Sequence, residues 1–391
     1  MTAIKWLPVL TLVGVSVSLL PTSEAFAFTF TKIAETNNGT FSSFGIWPAI
    51  NNQGTVVFSA DLSSGGSGIF VGNGGTTSTI ADTSGIFSLF SSHPAINNAG
   101  VVALKANLKT IGSGIFTVDS QGKLTTIADS SQPIGAFGDP VINNEGTVAF
   151  SSNINGGRAI FTSSNGAKST IADTTNIPYS FLDGYAINDE GSVAFSARQI
   201  NGNSGILISD GQNTTTAVDT SDRFSFLFPP VITNSGIVAF KGVVKALAGE
   251  GIFTVRDGTM TTIADNSGQF NFFENPAINN SGTVAFKGVL KAGGLGIFTG
   301  SNPLTDKVIT AGDPLFGSTV TDLFFSNQGL NDANQLAFYA KLADGTTGIF
   351  RADPEPNNVP EPNNMLGIMV AAGLGIGLRF KRYQSLSNNK N

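Results

Sequence analysis

The chain repeats itself. A block of the form P-A-I-N-N-x-G-x-V-A-F, a variable stretch, G-I-F-T, T-T-I-A-D and an aromatic-rich connector recurs seven times. Its turn glycine falls at Gly54, Gly100, Gly146, Gly191, Gly236 and Gly282, with Asn334 in the seventh copy, so the steps are 46, 46, 45, 45, 46 and 52 residues. A fixed period of this length belongs to propellers and solenoids. Each block carries four short runs rich in Val, Ile, Phe and Thr and bounded by Gly, Asn, Asp or Pro. In the first copy they are a run ending on Ile50, then residues 55–58, 68–71 and 78–81. No helical periodicity interrupts them, which sets aside ankyrin and tetratricopeptide repeats, and leucine-rich repeats and β-helices have shorter periods. Four strands per block make the blade of a β-propeller.

The N-x-x-G element reads as a hairpin turn. Asn bends its own backbone through side-chain hydrogen bonds, and Gly takes a positive φ without steric cost. Pro48, Pro94, Pro140, Pro230 and Pro276 stand two residues before the strand-ending aliphatic, where a strand start tolerates a missing N–H. Turn chemistry therefore accounts for the Asn-Asn and Asn-Asp pairs, such as Asn188-Asp189, without a metal.

The phase of the repeat carries further information. A fourth-strand motif, Thr31-Lys32-Ile33-Ala34-Glu35, precedes every N-x-x-G unit, while the last unit ends at Gly348-Ile349-Phe350 with no fourth strand after it. Pairing residues 29–35 with 348–351 closes the ring and leaves no open edge at the seam. The expectation is an all-β, seven-bladed β-propeller over residues 28–351, closed by its N-terminal strand.

Composition narrows the class. There is no cysteine, hence no disulfide, thiolate metal site or cysteine nucleophile. Charged residues are only 12% and Phe appears 31 times, as suits a secreted β-protein with many tight turns. A net charge of -6 and a pI near 4.8 exclude nucleic acid as a partner, since that needs a basic footprint.

Both ends read as targeting segments. Lys5, the apolar residues 6–20 and the Ala25-Phe26-Ala27 site form a signal peptide over residues 1–27, cleaved after Ala27. Residues 352–364 form a polar, proline-rich linker expected not to pair as a strand and containing Val359-Pro360-Glu361-Pro362. An apolar, glycine-rich run at 365–378 and the cations Arg379, Lys381 and Arg382 make a short hydrophobic helix with a basic end over 365–382, followed by a polar tail, 383–391. Fourteen apolar residues fall short of the about 20 of a comfortable membrane span, and the basic end favours the cytoplasmic side.

This ordered trio resembles the PEP-CTERM sorting signal of Gram-negative bacteria. The resemblance covers residues 359–382 and implies export to the cell surface or extracellular matrix, a transient membrane anchor, and an exosortase-type processing enzyme as partner. The tail 383–391 departs from that pattern. The repeats are similar to the uncharacterised tandem N-x-x-G-x-V-A-F domains of such exported proteins, and in layout to TolB-type propellers, a likeness that covers residues 28–350 and implies a fold without an activity.

Catalytic signals are sparse. His93 is the one histidine, so no repeated histidine triad or histidine metal site can be built, and no D-x-D-x-D-G calcium loop occurs. No cofactor is expected. Asp82, Asp129, Asp173, Asp219 and Asp265 close the T-I-A-D strands and should share a face with the connectors assigned Lys105, Lys109, Lys241, Lys245, Lys287, Lys291 and Lys341. One reading is turn aspartates with solvated lysines. The other is a mouth where Asp, Lys and exposed members of Phe87, Phe90, Phe137, Phe181, Phe226 and Phe272 grip an anionic polysaccharide, most of those Phe packing between blades. At the level of function, a non-catalytic surface scaffold that binds exopolysaccharide or surface proteins stands against a secreted propeller enzyme acting on glycans through a carboxylate pair.

Overall fold

The V-A-F and G-I-F runs pair with each other as antiparallel strands, because each presents alternate apolar side chains to the two neighbouring blades. In the first blade Val56–Leu62 pairs with Ser67–Gly72, which pairs with the outermost strand Ser78–Asp82. The innermost strand comes in two pieces, Phe41–Phe44 and Ala49–Ile50, both on Val56–Leu62. Pro48 opens the second piece. In the fourth blade Tyr185 takes the proline's place, and the innermost strand Tyr179–Ile187 runs unbroken through it.

Seven such sheets follow one another around the ring, and the chain is a seven-bladed β-propeller. The computed structural model describes residues 28–355 apart from 111, 132–134, 176–178, 201 and 247–248, and the side chain of Asp183. The cleavage site at Ala25 and Ala27, the motif Val359-Pro360-Glu361-Pro362, the apolar run and the tail lie outside the described residues. Among the described residues the one helical element is the 3-10 turn Thr36–Asn38, and no helix is long and apolar enough to cross a membrane.

The seam closes as the phase of the repeat requires. Phe28–Glu35 lies antiparallel on Thr347–Pro354 as the outermost strand of the seventh blade. The expected linker start at 352 is corrected, because the strand continues to Pro354, pairing Asp353 with Thr29 and Pro354 with Phe28. Asp353 holds that extension in place. Its carboxylate accepts hydrogen bonds from Arg351 Nε at 2.6 Å, Gln335 Nε2 at 2.6 Å and Thr31 Oγ1 at 2.7 Å. Pro354 needs no ladder N–H at the strand's last position.

The expected second strands are also too short. They run four residues past V-A-F, to Leu62, Leu108, Val244 and Leu290 in the first, second, fifth and sixth blades.

Apolar residues of adjacent blades interlock to form the core. Val56 and Phe58 pack with Ala337 and Ile349 across the seam, and Val57 and Ile69 pack with Val102 and Leu104 of the second blade. Within blades, Phe41 meets Phe70, Phe87 meets Phe116, Phe224 meets Phe253 and Phe270 meets Phe298, each edge-to-face at 5.0 Å. The glycine of G-I-F makes room for this contact. A Cβ on Gly68 would stand 2.7 Å from the carbonyl oxygen of Ala81 and 3.0 Å from the Phe70 ring. On Gly348 it would meet the oxygen of Ala34 at 2.7 Å, so the N-terminal strand occupies the place of any other outermost strand.

At the axis the N-x-x-G turns link the blades. Asn51 Oδ1 accepts from the N–H of Gln53 and Thr55, while its Nδ2 donates to the carbonyl oxygen of Asn97 in the next blade at 3.1 Å. The relay continues through Asn97, Asn143 and Asn188 to Thr233, and through Asn279 and Asn331 back to Asn51. Thr233, which lacks an amide, bonds its own Ser235 instead. One residue on, a closed second ring forms, in which the N–H of Asn52, Asn98, Asn144, Asp189, Asn234, Asn280 and Asp332 each donates to the side-chain oxygen of the next at 2.8 to 3.0 Å.

The turn glycines Gly54, Gly100, Gly146, Gly191, Gly236 and Gly282 have φ between 75° and 85°, and Asn334 takes φ 59° in the seventh blade. A Cβ on Gly146 would touch nothing within 4 Å, so a side chain there is opposed by backbone strain alone. Gly146→Val should therefore lower stability by about 1–3 kcal/mol. Gly146→Asn, which copies the seventh blade, should cost under about 1 kcal/mol. Denaturant midpoints of the two variants check this, and equal losses would show that positive φ is not the constraint.

Candidate functional site

The two mouths of the ring differ. At the turn mouth the asparagine rings and the aliphatic collar, Ile50, Ile96, Ile142, Ile187, Ile232, Ile278 and Leu330, enclose a shallow cup of about 160 Å³. Its carboxylates are already engaged. Burial opposes the charged form of Asp189, but bonds from the Asn144 N–H, the Asn144 amide and the Asn234 amide outweigh it and hold its carboxyl below the usual range. The Asn188-Asp189 pair is thus a structural link between blades.

At the opposite mouth, where the connectors enter, repeat symmetry breaks. The position three before the strand-ending aliphatic is Trp47, His93, Asp139, Gly184, Pro229, Asn275 and Asn327 in successive blades. Six of these seven line a cavity of about 460 Å³ together with Phe228, Lys241, Phe272, Glu274, Phe325 and Ser326. The seventh, Asp139, contacts His93. Gly184 is obligatory there, because a Cβ would lie 2.2 Å from the Pro229 Cβ.

The charges around this cavity are matched one to one. Lys105 Nζ meets Asp139 Oδ1 at 2.8 Å, Lys241 meets Glu250 at 3.1 Å and Lys287 meets Glu274 at 3.0 Å. Lys241 and Lys287 are 4% and 6% exposed, not solvated as expected from the sequence. They were placed in connectors because the second strands were drawn too short, and the signal was their position directly after V-A-F. The aromatic faces that cover them compensate part of the lost hydration. Lys241 Nζ lies 4.2 Å from the Phe228 centroid and 4.4 Å from that of Phe272, and Lys287 Nζ lies 3.7 Å from that of Phe324. Glu274 keeps one buried oxygen, Oε2, with no hydrogen-bond partner among the described residues.

His93 stacks on Trp47 at 5.4 Å, with its Nδ1 3.2 Å from Asp139 Oδ2. Burial lowers its pKa from the ordinary 6.5, the Asp139 carboxylate opposes that shift, and Lys105 adds to it. Tyr185 closes the group from the next blade, donating to the Asp139 carbonyl oxygen at 2.6 Å and accepting from the Ser151 N–H at 3.0 Å. Burial pushes its phenol up to about 12.

The structure brings the strand-end aspartates and connector lysines to one face but commits both to the fold. Asp82, Asp129, Asp173, Asp219 and Asp265 each accept from the N–H and hydroxyl of the Ser or Thr two residues on. The Ser84 and Ser131 hydroxyls hold the Asp82 and Asp129 carboxyls below the usual range. Lys109, Lys245 and Lys291 donate to connector carbonyl oxygens of Ser84, Thr220 and Asn266, and Lys341 is exposed. Among the named Phe, Phe87 and Phe137 are buried, while Phe181, Phe226 and Phe272 stand half exposed. Among the described residues no three His, Asp or Glu side chains gather as a metal centre requires.

The sequence profile of a family of unknown function (DUF7453) matches residues 24–156. No curated protein sequence matches the chain. Solved structures do. An oligogalacturonate lyase in complex with manganese is similar with a TM-score of 0.55 at 10% identity, covering 86% of this chain and 98% of that one. A prolyl endopeptidase is similar with a TM-score of 0.53 at 11% identity over 82% of this chain, which spans about half the length of that protein, 51%. At such identities the likeness is one of fold, and it carries no activity across.

The lowered pKa of His93 has a definite sign. An unfolded histidine takes up its proton as pH falls through about 6.5, whereas the folded one resists, so acidification from there down to the folded value favours unfolding. His93→Gln should make melting temperature less sensitive to pH in that window, as calorimetry from neutral to mildly acidic pH would show. An unchanged slope would mean that His93 ionises freely in the folded ring.

Proposed function

We propose that this chain is an exported binding scaffold of the cell surface or extracellular matrix, whose cavity at the connector mouth takes a hydroxyl-rich neutral ligand, the sugar units of an exopolysaccharide. The cavity carries the reading. Around it the blades present unlike side chains from one repeat column, and these combine aromatic faces with amides. A sugar ring offers apolar C–H faces to the former and hydroxyl donors to the latter. The matched Lys–Asp and Lys–Glu pairs leave no net charge to attract an anion, which replaces the anionic polysaccharide of the sequence reading with a neutral one.

Export rests on the signal peptide, residues 1–27, and on the PEP-CTERM-like segment, residues 359–382. Because the last strand runs to Pro354, only residues 355–358 separate the blade from the sorting motif, so the folded ring would stand close to the membrane until an exosortase-type enzyme acts.

A neutral-glycan array followed by a product assay tests the ligand. Retained glycan that Trp47→Ala weakens by about ten-fold is expected. Released sugar would make the chain an enzyme, and an array without any hit would remove the glycan reading. Replacing Pro360-Glu361-Pro362 with alanines should leave the propeller folded and hold the protein in the membrane fraction. Equal release of both forms to the medium would reduce the C-terminus to a weak anchor.

A further inference from the structure

Three large aromatic side chains near the same mouth are exposed in a protein that buries most of its phenylalanine. Phe181, Phe226 and Phe272 are 53%, 51% and 45% exposed. They are repeat equivalents, each two residues past the start of the innermost strand, at half-buried Tyr179 and at buried Phe224 and Phe270, on three consecutive blades. The same position holds Ser43 in the first blade, the exposed Leu89 in the second and Asp322 in the seventh, so its aromatic members fall on three consecutive blades. Exposed apolar groups that gather in one arc mark a binding surface more often than singly scattered ones do.

The Phe272–Phe226 part of the arc is continuous with the cavity, and Phe181 holds the equivalent position on the preceding blade. Phe226 packs edge-on against Phe228 at 4.8 Å, Phe228 covers one side of the Lys241 ammonium, and Phe272 covers another side and itself lines the cavity. Lys241, which these rings cover, is paired with Glu250, whereas the exposed Arg198, cross-strand partner of Phe181, and Arg223, beside Phe224, have no carboxylate partner among the described residues. Stacked sugar rings would find successive π faces there, and the neutral character of the ligand rests on the matched charges of the cavity.

Resting on the reading of the cavity as a sugar site, we propose that the arc Phe272–Phe226–Phe181 is a track for one neutral polysaccharide chain. One sugar unit sits in the cavity and the following units lie on successive blades. The protein then recognises length, and binds polymer in preference to free sugar, because each further aromatic contact adds affinity without a new entry cost.

The test uses dimers and hexamers of the cello-, laminari-, manno- and xylo-oligosaccharide series, titrated by calorimetry against the full mature chain. In at least one series the hexamer should bind about ten-fold tighter than the dimer. The double variant Phe181→Ala/Phe226→Ala, both exposed and outside the cavity, should remove that gain and leave dimer affinity unchanged. Raising the salt concentration should change neither value, since no ion pair forms with the ligand. Equal binding of dimer and hexamer, or a length gain that survives the double variant, overturns the track while leaving the cavity as a sugar site. If no series binds, the reading of the cavity itself falls.

Discussion

A side-chain amide that serves two blades at once is the interaction on which this ring depends. Asn51 fixes its own turn by accepting two backbone N–H groups, and the same amide donates to the backbone of the next blade. Each bond adds only about 0.5–1.5 kcal/mol net, but the groups are buried and would be costly to leave unmet. Repetition makes the arrangement self-consistent, since a change in one turn disturbs the acceptor of its neighbour. The second ring closes over all seven blades and also crosses the seam, where the Asp332 N–H reaches Asn52 Oδ1 at 3.0 Å. Both axial rings thus cross the seam, which is closed again at the rim by the outermost strand Phe28–Glu35.

The axial rings also explain where variation is allowed. At the turn mouth Asn, Gly and the aliphatic collar are fixed by hydrogen bonds and by positive φ, so the copies stay alike. Three residues upstream the chain stands at the break in the innermost strand or, in the fourth blade, at the register shift that skips Gly184, so ladder pairing does not fix the residue there. That position accepts Trp47, His93, Asp139, Gly184, Pro229, Asn275 and Asn327 in turn. A repeat fold gains an asymmetric site this way without disturbing the bonds that hold it together.

Much of this was legible in the sequence because it is local or periodic. The period gave seven blades, the V-A-F and G-I-F runs gave the strands, and the shifted phase gave the closing strand. Strand ends were less legible. Lys241 follows V-A-F and looks like a connector residue by charge, yet Gly242 beside it admits the Phe224 ring, where a Cβ would come within 2.7 Å. Asp353 looks like linker because two of its partners are distant in sequence, Gln335 just before the strand Leu336–Leu342 and Thr31 of the N-terminal strand, beside Arg351 of its own strand. The cavity was invisible for a related reason. His93 and Asp139 are one repeat apart, and their contact exists only once adjacent blades stand side by side. The clue available was the loss of repeat identity at that one column of the seven copies.

Charge is handled in the same spirit as polarity. With only 12% charged residues, the ring still places Lys105, Lys241 and Lys287 at one mouth and matches each with a single carboxylate. An unmatched buried ammonium is strongly disfavoured, so each lysine fixes the rotamer of its acid and thereby the wall of the cavity. The aromatic rings complete the arrangement by covering the ammonium groups from the side that water would otherwise reach. In this way the lysines act as supports that hold Phe228, Phe272 and Glu274 in place, and the cavity wall they leave is aromatic and hydrogen-bonding, with its charges paired.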